Sequence, residues 1–570
     1  MRNSGVILSK IVIVGTPILA TLAIAPGLTY DPINLPKALV VITGASLLLT
    51  SLIVNFPKLF QINKPLPFFA IILICTLLFS LVVNDAPTSQ QLWGVWGRST
   101  GVLTYLAFAI FLLASAIEGE KKDQISLRRG FERLSYFISI YTLAQAGDID
   151  PINWSQKLMV ATLGNINFMS SFLGLATISM LSRIIIEKLS VTSKLFFGLF
   201  AALNLFLIWI SGSIQGIAVV AAGLSILIML KTRKERGLWA PIAWISSVTP
   251  FGILILLGTA GVGPLNALKQ ETVIFRIDYW LAGVRMTKEN WLNGVGVDSY
   301  GDFYEQYRDL AAVERTGPQR ITNTAHNIFL DVSSGAGIFA GMAFVAIFLI
   351  VLGSVVQMIR SARFTDTDAA FAGMFFGFLV FAMISINQIG VGIWGFVFMG
   401  SLIGSSARQK IGVKRSEIEN SQARTSSSNA SKVPDSRTNT SFILSMILGM
   451  TVFIVGLQPV ITDAKMLRAV QNSDFQAMKE SVSRSTATAF HKSKFQTLLV
   501  QGGRESEALN FAREDVAQYP RSETSLRIVA FSETALKSER VRAAELLKAR
   551  DPFNYELQRI LDEMLETIPE

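Results

Sequence analysis

The chain holds little of the chemistry on which most metal and redox sites depend. It has one cysteine, Cys75, and two histidines, His326 and His491, among 570 residues. A single cysteine excludes an intrachain disulfide and leaves no cysteine-based metal site. No carboxylate cluster and no His-x-x-x-His spacing indicates a metal. The glycines of Gly294-Val295-Gly296 and Gly301 lack the dinucleotide spacing and read as a turn, so neither metal nor cofactor is expected. Charge is scarce too: 16% of residues are charged against 51% hydrophobic, with a mean hydropathy of +0.46. A soluble chain of this length carries more charge. The net charge of +10 does not imply a nucleic-acid partner, because most basic residues fall in short loops between apolar runs.

Those runs are what the sequence has in abundance. Apolar stretches lie near 6–25, 36–54, 66–83, 102–117, 131–146, 163–181, 195–210, 214–230, 238–257, 328–356, 369–386, 391–403 and 442–457. This gives an all-α polytopic membrane protein with about 12–13 transmembrane helices. The run 131–146 is the weakest, being short and opening on Glu132 and Arg133. Lys and Arg collect in cytoplasmic loops. With the N-terminus inside, Lys58 and Lys64, then Lys121, Lys122, Arg128 and Arg129, then Arg183, Lys188 and Lys194 all fall inside. So do Lys231, Arg233, Lys234 and Arg236, then Arg360 and Arg363, then Arg408, Lys410, Lys414 and Arg415. The short outer loops hold little beyond Arg98 and Lys157. The alternation holds through every span, the weak one included. Arg2 and Lys10 before an apolar stretch ending in Ala23-Ile24-Ala25 resemble a signal peptide, but the many later spans favour a first membrane helix.

The domain plan follows. Residues 1–404 form a membrane core with a large polar loop, 259–325, on the extracytoplasmic side. Residues 405–440 are Ser-, Asn- and Thr-rich and read as a disordered cytoplasmic linker. A last transmembrane helix spans 441–459. Residues 460–570 form an extracytoplasmic helical segment with breaks at Tyr519-Pro520 and Asp551-Pro552, spaced like tetratricopeptide units. That segment either docks an envelope protein partner or caps the large loop. The expected location is the plasma (inner) membrane.

The candidate chemistry gathers on the outer side. Arg276 and Arg285 in the large loop can each grip phosphate oxygens through a guanidinium fork; the alternatives are lipid headgroups or pairing with Asp278. Arg98 runs against the positive-inside bias and is a candidate substrate contact, whereas Trp93 and Trp96 beside it read as interfacial belt residues. His326, in Asn323-Thr324-Ala325-His326-Asn327, is either a satisfied helix-start residue or a general base.

At these residues the chain resembles the O-antigen ligase and polymerase superfamily, the Wzy/WaaL-like membrane glycosyltransferases. The resemblance rests on Gly97-Arg98-Ser99-Thr100-Gly101, Gly164-Asn165-Ile166-Asn167-Phe168, Arg276 with Trp280, Gly294-Val295-Gly296, and His326-Asn327-Ile328-Phe329-Leu330 with Gly335 and Gly337. It implies a GT-C-like helical fold and metal-independent transfer of a glycan from an undecaprenyl-pyrophosphate-linked donor to a glycan, lipid or protein acceptor. It makes Arg276 and His326 the catalytic pair, with Arg98, Gln215, Arg285 and Asn327 as substrate contacts. One departure stands out. Many members carry Ser-Arg-Gly where this chain has Ile214-Gln215-Gly216, and Gln215 can hydrogen-bond phosphate without neutralising it. Arg98 or Arg285 then supplies the missing charge, or the donor differs. The competing readings are a lipid-linked glycan flippase and a non-catalytic assembly scaffold. A flippase needs polar residues spread through its spans; here the charges concentrate at the outer mouth.

Overall fold

The structure, a computed structural model, describes residues 4–118, 120–152, 154, 158–259, 261–264, 266, 271–421 and 437–567. Every expected span falls on a helix, and no strand occurs among the described residues. Eleven helices there are long and apolar enough to cross a membrane. Val102–Glu118 is apolar but has only 17 residues. The weak fifth span is the second half of a longer helix, Lys121–Ala146. Its charged residues are accommodated by pairing. Arg128 Nε reaches Glu132 at 3.0 Å and its Nη1 reaches Glu187 at 2.7 Å, while Arg183 Nη2 reaches Glu132 at 2.8 Å. Two positive and two negative groups cancel, which lets them lie inside a bundle. Lys37 is buried for another reason: its ammonium donates to the carbonyls of Ala20, Thr21 and Ala23 at 3.1, 2.7 and 3.0 Å. It thereby closes the C-terminal end of helix Ser4–Leu22, where the carbonyls lack partners.

Helix Ile389–Ser421 forms the centre of the bundle, buried from Ile389 to Ala407 and packed on Val102–Glu118. Around it lie the pairs Ile328–Ser361 with Pro65–Val83, and Asp366–Ile384 with Ile214–Arg236. Trp239–Thr259 sits at the periphery, packed on Ile214–Arg236, with most of its surface outward as a lipid-facing helix requires. The expected linker is helical at its start, since Ile389–Ser421 runs through 405–421 and keeps Ser405, Ser406 and Ala407 buried. Its remainder, 422–436, lies outside the described residues. The last span does not stop at 459. Helix Arg437–Gln471 runs unbroken through Pro459 into the C-terminal segment.

The large loop is mostly structured. Helices Glu271–Glu289, Tyr300–Tyr307 and Leu310–Thr316 fill it. They enclose a small core of Tyr279, Ala282, Met286, Val295, Tyr300 and Tyr304. The chain then re-enters the bundle through Ile328–Ser361, which is broken at Gly337 (φ 86°, ψ 172°). The break exposes backbone groups that the loop takes up. Val295 and Gly296 N–H donate to the carbonyls of Ser334 and Gly335 at 2.8 and 3.0 Å, and Ile338 N–H donates to Trp291 O at 2.8 Å. Gly294, at φ +67°, must be glycine here, because a Cβ would strike the Gly335 carbonyl.

The C-terminal segment is a run of short helices, Phe475–Val482, Ala489–Gln501, Glu505–Gln518, Glu523–Phe531, Lys537–Arg550 and Tyr555–Thr567, each packed on the next. It lies on the large loop. Arg308 Nη2 donates to both carboxylate oxygens of Asp551, Arg550 Nε reaches Glu305 at 2.9 Å, and Tyr519 donates to Asp302 at 2.9 Å. Arg521 covers the Phe303 ring at 3.9 Å. A second contact joins the segment to the loop that holds Arg98. Trp96 stacks on Phe490 at 3.8 Å, and its indole N–H donates to Asp463 at 3.3 Å. His491, the second histidine, belongs to this contact. Its Nδ1 accepts from Thr488 N–H at 3.1 Å, and Nε2 lies 2.8 Å from Asp463.

Candidate active site

His326 sits at the turn into helix Ile328–Ser361, with a left-handed backbone (φ +54°) that costs a non-glycine residue about 1–2 kcal/mol. The turn is held by the residues around it. Asn327 caps the helix, accepting from the N–H groups of Phe329 and Leu330 at 3.0 and 3.2 Å. Asp331 reaches back from the first turn, accepting from Thr324 Oγ1 at 2.8 and 2.7 Å and from Ala325 N–H at 2.8 Å. His326 N–H in turn donates to Thr324 Oγ1 at 3.2 Å. The imidazole is half-buried and stacks on Tyr279, with ring centres 5.6 Å apart. Tyr279 is itself fixed from below, since Tyr300 Oη donates to its carbonyl at 2.6 Å.

Two arginines act on this imidazole. Burial, then the positive charges of Arg276 and Arg98, push its pKa down to about 4, so His326 is neutral at neutral pH. The two differ in their own surroundings. Arg98 is buried, 3.1 Å from Asp298 and 3.9 Å from Asp331, and donates to the Asn323 carbonyl. Burial alone would lower its pKa, but the two carboxylates raise it. Its charge is thus compensated within the fold, and its contacts tie the Gly97–Gly101 turn to the strand of chain leading into His326. Arg276, three positions before Tyr279 in helix Glu271–Glu289, has no hydrogen bond or ion pair among the described residues. It is half-buried, and burial lowers its pKa. Asp278, the partner weighed for it from sequence, is taken by Arg315 at 2.7 and 3.0 Å.

The other candidates sit elsewhere in the arrangement. Arg285 donates to the Tyr307 carbonyl at 3.0 Å and to Asp309 at 2.8 Å, cross-bracing the loop helices. Gln215 begins helix Ile214–Arg236 and is 4% exposed, its amide nitrogen without a partner. No hydrogen bond among the described residues joins it to His326, Arg276 or Arg98. Asn327 has its oxygen engaged in the cap. The structure therefore brings together His326, Arg276 and Arg98. Sequence reasoning missed Tyr279, Asp298 and Asp331. Asp331 carried a signal, a carboxylate one turn after a capping asparagine; Asp298 carried none, because its partner is remote in sequence. Among the described residues no group of three or more His, Cys, Asp or Glu could hold a metal ion.

The O-antigen ligase family model matches residues 197–345. The match covers about a quarter of the chain and shows what that segment is similar to. The matched segment contains Arg276, Tyr279, Asp331 and His326 and ends shortly after the Gly337 break; Arg98 lies outside it. No curated protein matches the chain. The match supports a membrane ligase- or polymerase-type role.

Proposed function

We propose that this protein transfers a glycan from an undecaprenyl-pyrophosphate-linked donor to a hydroxyl of a glycan or lipid acceptor, on the extracytoplasmic face. The observation that carries the proposal is the uncompensated Arg276 beside a neutral His326. A fixed, partly desolvated guanidinium without a carboxylate is what a pyrophosphate needs, since it can form a charge-assisted fork. In the reaction the acceptor oxygen bonds to the anomeric carbon and the bond from that carbon to the pyrophosphate oxygen breaks. The electron pair leaves with the pyrophosphate, whose charge Arg276 stabilises. The hydroxyl proton passes to the imidazole of His326. Binding of the anion offsets the field of Arg276 and raises the basicity of His326, so the base strengthens only when donor is present. Stabilising charge on the leaving group is the larger requirement.

The exposed stripe Ile277, Leu281 and Val284 on the same helix as Arg276, continued by Trp291 and Leu292, supports a membrane-facing path for the polyprenyl chain. Arg98 holds the loop around His326. The C-terminal segment serves first as a cap on the loop; an envelope partner would use its remaining surface.

The test is a reconstituted assay with the full chain in liposomes and lipid-pyrophosphate-linked glycan. Appearance of glycan on acceptor supports transfer. Movement of intact donor across the bilayer without bond cleavage would indicate a flippase, and neither activity would leave a scaffold.

A further inference from the structure

Two connected cavities lie far from the large loop, along the seam between helices Ser4–Leu22 and Lys121–Ala146. The first, of about 800 Å³, is at the end where Lys10 meets Asp123 at 2.8 Å and Glu120 at 3.4 Å. The second, of about 600 Å³, shares Val14 and Ser126 with the first and continues along both helices to Leu22 and Phe137. The two helices run parallel here, as their contacts advance together: Lys10 with Asp123, then Ile18 with Gly130.

The second cavity has an apolar wall and a cationic one. Val14, Ile18, Leu22 and Phe137 supply hydrocarbon. Arg129 and Arg133, four positions apart and therefore on one helix face, line the same space. Both are exposed, and neither makes a hydrogen bond or ion pair among the described residues. Glu132 lies between them in sequence but cannot serve them. It is turned inward and held by Arg128 at 3.0 Å and Arg183 at 2.8 Å. Of the acidic groups lining the first cavity, Glu120 and Asp123 are bridged by Lys10, and Glu118 lies at that same end, within the field of Lys10. Two uncompensated guanidinium groups thus face an apolar groove on a helix packed against Ser4–Leu22, Ile166–Ile186 and Val191–Ile210, three helices of membrane-spanning length. Arginine in that position ordinarily finds an anion.

We infer that this groove binds an anionic phospholipid of the leaflet on the basic-loop side. Its phosphate sits between Arg129 and Arg133, and one acyl chain lies along Val14, Ile18, Leu22 and Phe137. The rise of 1.5 Å per residue sets the two arginines about 6 Å apart along the axis, within reach of a single phosphate from both sides. A cavity of about 600 Å³ is within the usual range for small-molecule sites. Basic clusters between membrane helices on the cytoplasmic side are where charged lipid headgroups are held. This inference is independent of glycosyl transfer, and the groove shares no residue with the site at His326.

The experiment uses the full chain in neutral detergent. Thermal stability is measured with added phosphatidylglycerol, phosphatidylcholine or inorganic phosphate, and retained lipid is read by native mass spectrometry. Phosphatidylglycerol should raise the melting temperature and remain bound, whereas phosphatidylcholine and free phosphate should do neither. The double variant Arg129→Gln/Arg133→Gln should lose the stabilisation and at least tenfold of the lipid affinity. Ile18→Trp, which fills the groove and keeps both arginines, should also weaken retention. Equal stabilisation of wild type and the double variant by phosphatidylglycerol would overturn the site. A response to free phosphate as large as that to the lipid would remove the acyl-chain half of the inference.

Discussion

Arg308 and Asp551 meet as a buried ion pair, Arg308 Nη2 donating to both carboxylate oxygens at 2.7 and 2.8 Å, although 243 positions separate them in the chain. Both side chains are almost wholly withdrawn from solvent. The same guanidinium donates to the Pro318 carbonyl at 2.9 Å, so one residue ties the C-terminal segment to the approach to His326. Removing one partner of a buried pair strands the other charge, which costs about 3–5 kcal/mol. Asp551→Ala should therefore loosen the cap and make both the loop and the C-terminal helices cleavable by added protease. Arg308→Met combined with Asp551→Leu should restore much of the loss. Identical proteolysis of the single variant and wild type would show that the pair holds nothing.

The two members of the proposed catalytic pair should fail differently. Arg276→Lys keeps the charge and loses the fork. It should weaken donor binding by about ten- to hundredfold, from roughly 1.5–3 kcal/mol for a charge-assisted hydrogen bond. Donor affinity in detergent is the readout. Because Arg276 has no hydrogen bond or ion pair among the described residues, the same change should leave the melting temperature near that of wild type.

His326→Gln should bind donor normally and turn over about 10²–10⁴-fold more slowly, the usual range for a lost general base. Single-turnover rates decide this, and a loss of only a few-fold would reduce His326 to a positioning residue. A stability signature follows from its lowered pKa. Between about 4 and the ordinary 6.5 the unfolded chain binds a proton at this histidine that the folded chain does not. Stability from this group is therefore lost as pH falls through that window and is complete above it. Melting curves from pH 7 down to pH 4 should show wild type losing more stability than His326→Gln.

Arg98→Ala should act through the fold. It leaves Asp298 and Asp331 buried without a countercharge, so stability should fall by about 3–5 kcal/mol, and transfer should fall with it. Asp298→Asn should produce a milder version of the same defect. Gln215→Arg should not rescue Arg98→Ala if Arg98 is a brace; a rescue would return Arg98 to the substrate.

Orientation is tested directly. A tag after Arg236 and one within 422–436 should be labelled only from the cytoplasm, and a tag at Glu570 only from outside. The contacts of Asp551 and Arg550 with the loop require the C-terminal helices and the loop to share a side. Labels reporting opposite sides for these two would contradict the fold.

Much of the fold was readable because membrane helices satisfy their backbone locally, and apolar runs bounded by basic loops mark them. Even the run 131–146 was placed, although the helix starts ten residues earlier, at Lys121. The reason for that extension was not readable: Arg128 and Glu132 look like loop charges until Arg183 and Glu187 arrive from another helix. The site shows the same division. His326 and Arg276 stood out by rarity and by resemblance. Which arginines are compensated could not be read, because Arg98 depends on Asp298 and Arg285 on Asp309, pairings set by tertiary folding. The unbroken course of Arg437–Gln471 past Pro459 was hidden by composition, since the residues after the span are polar yet stay helical.

The break at Gly337 has a consequence for how such a protein can change over time. The loop does not merely rest on the bundle; its backbone at Trp291, Val295 and Gly296 completes a hydrogen-bond ladder that Ile328–Ser361 leaves open. A helix advances by about 100° per residue, so one insertion or deletion on either side would turn the donors away from their acceptors. The two stretches must be inherited as a matched set. A loop transplanted from a relative to alter acceptor choice would carry its specificity only if the half-helix beneath it travelled with it.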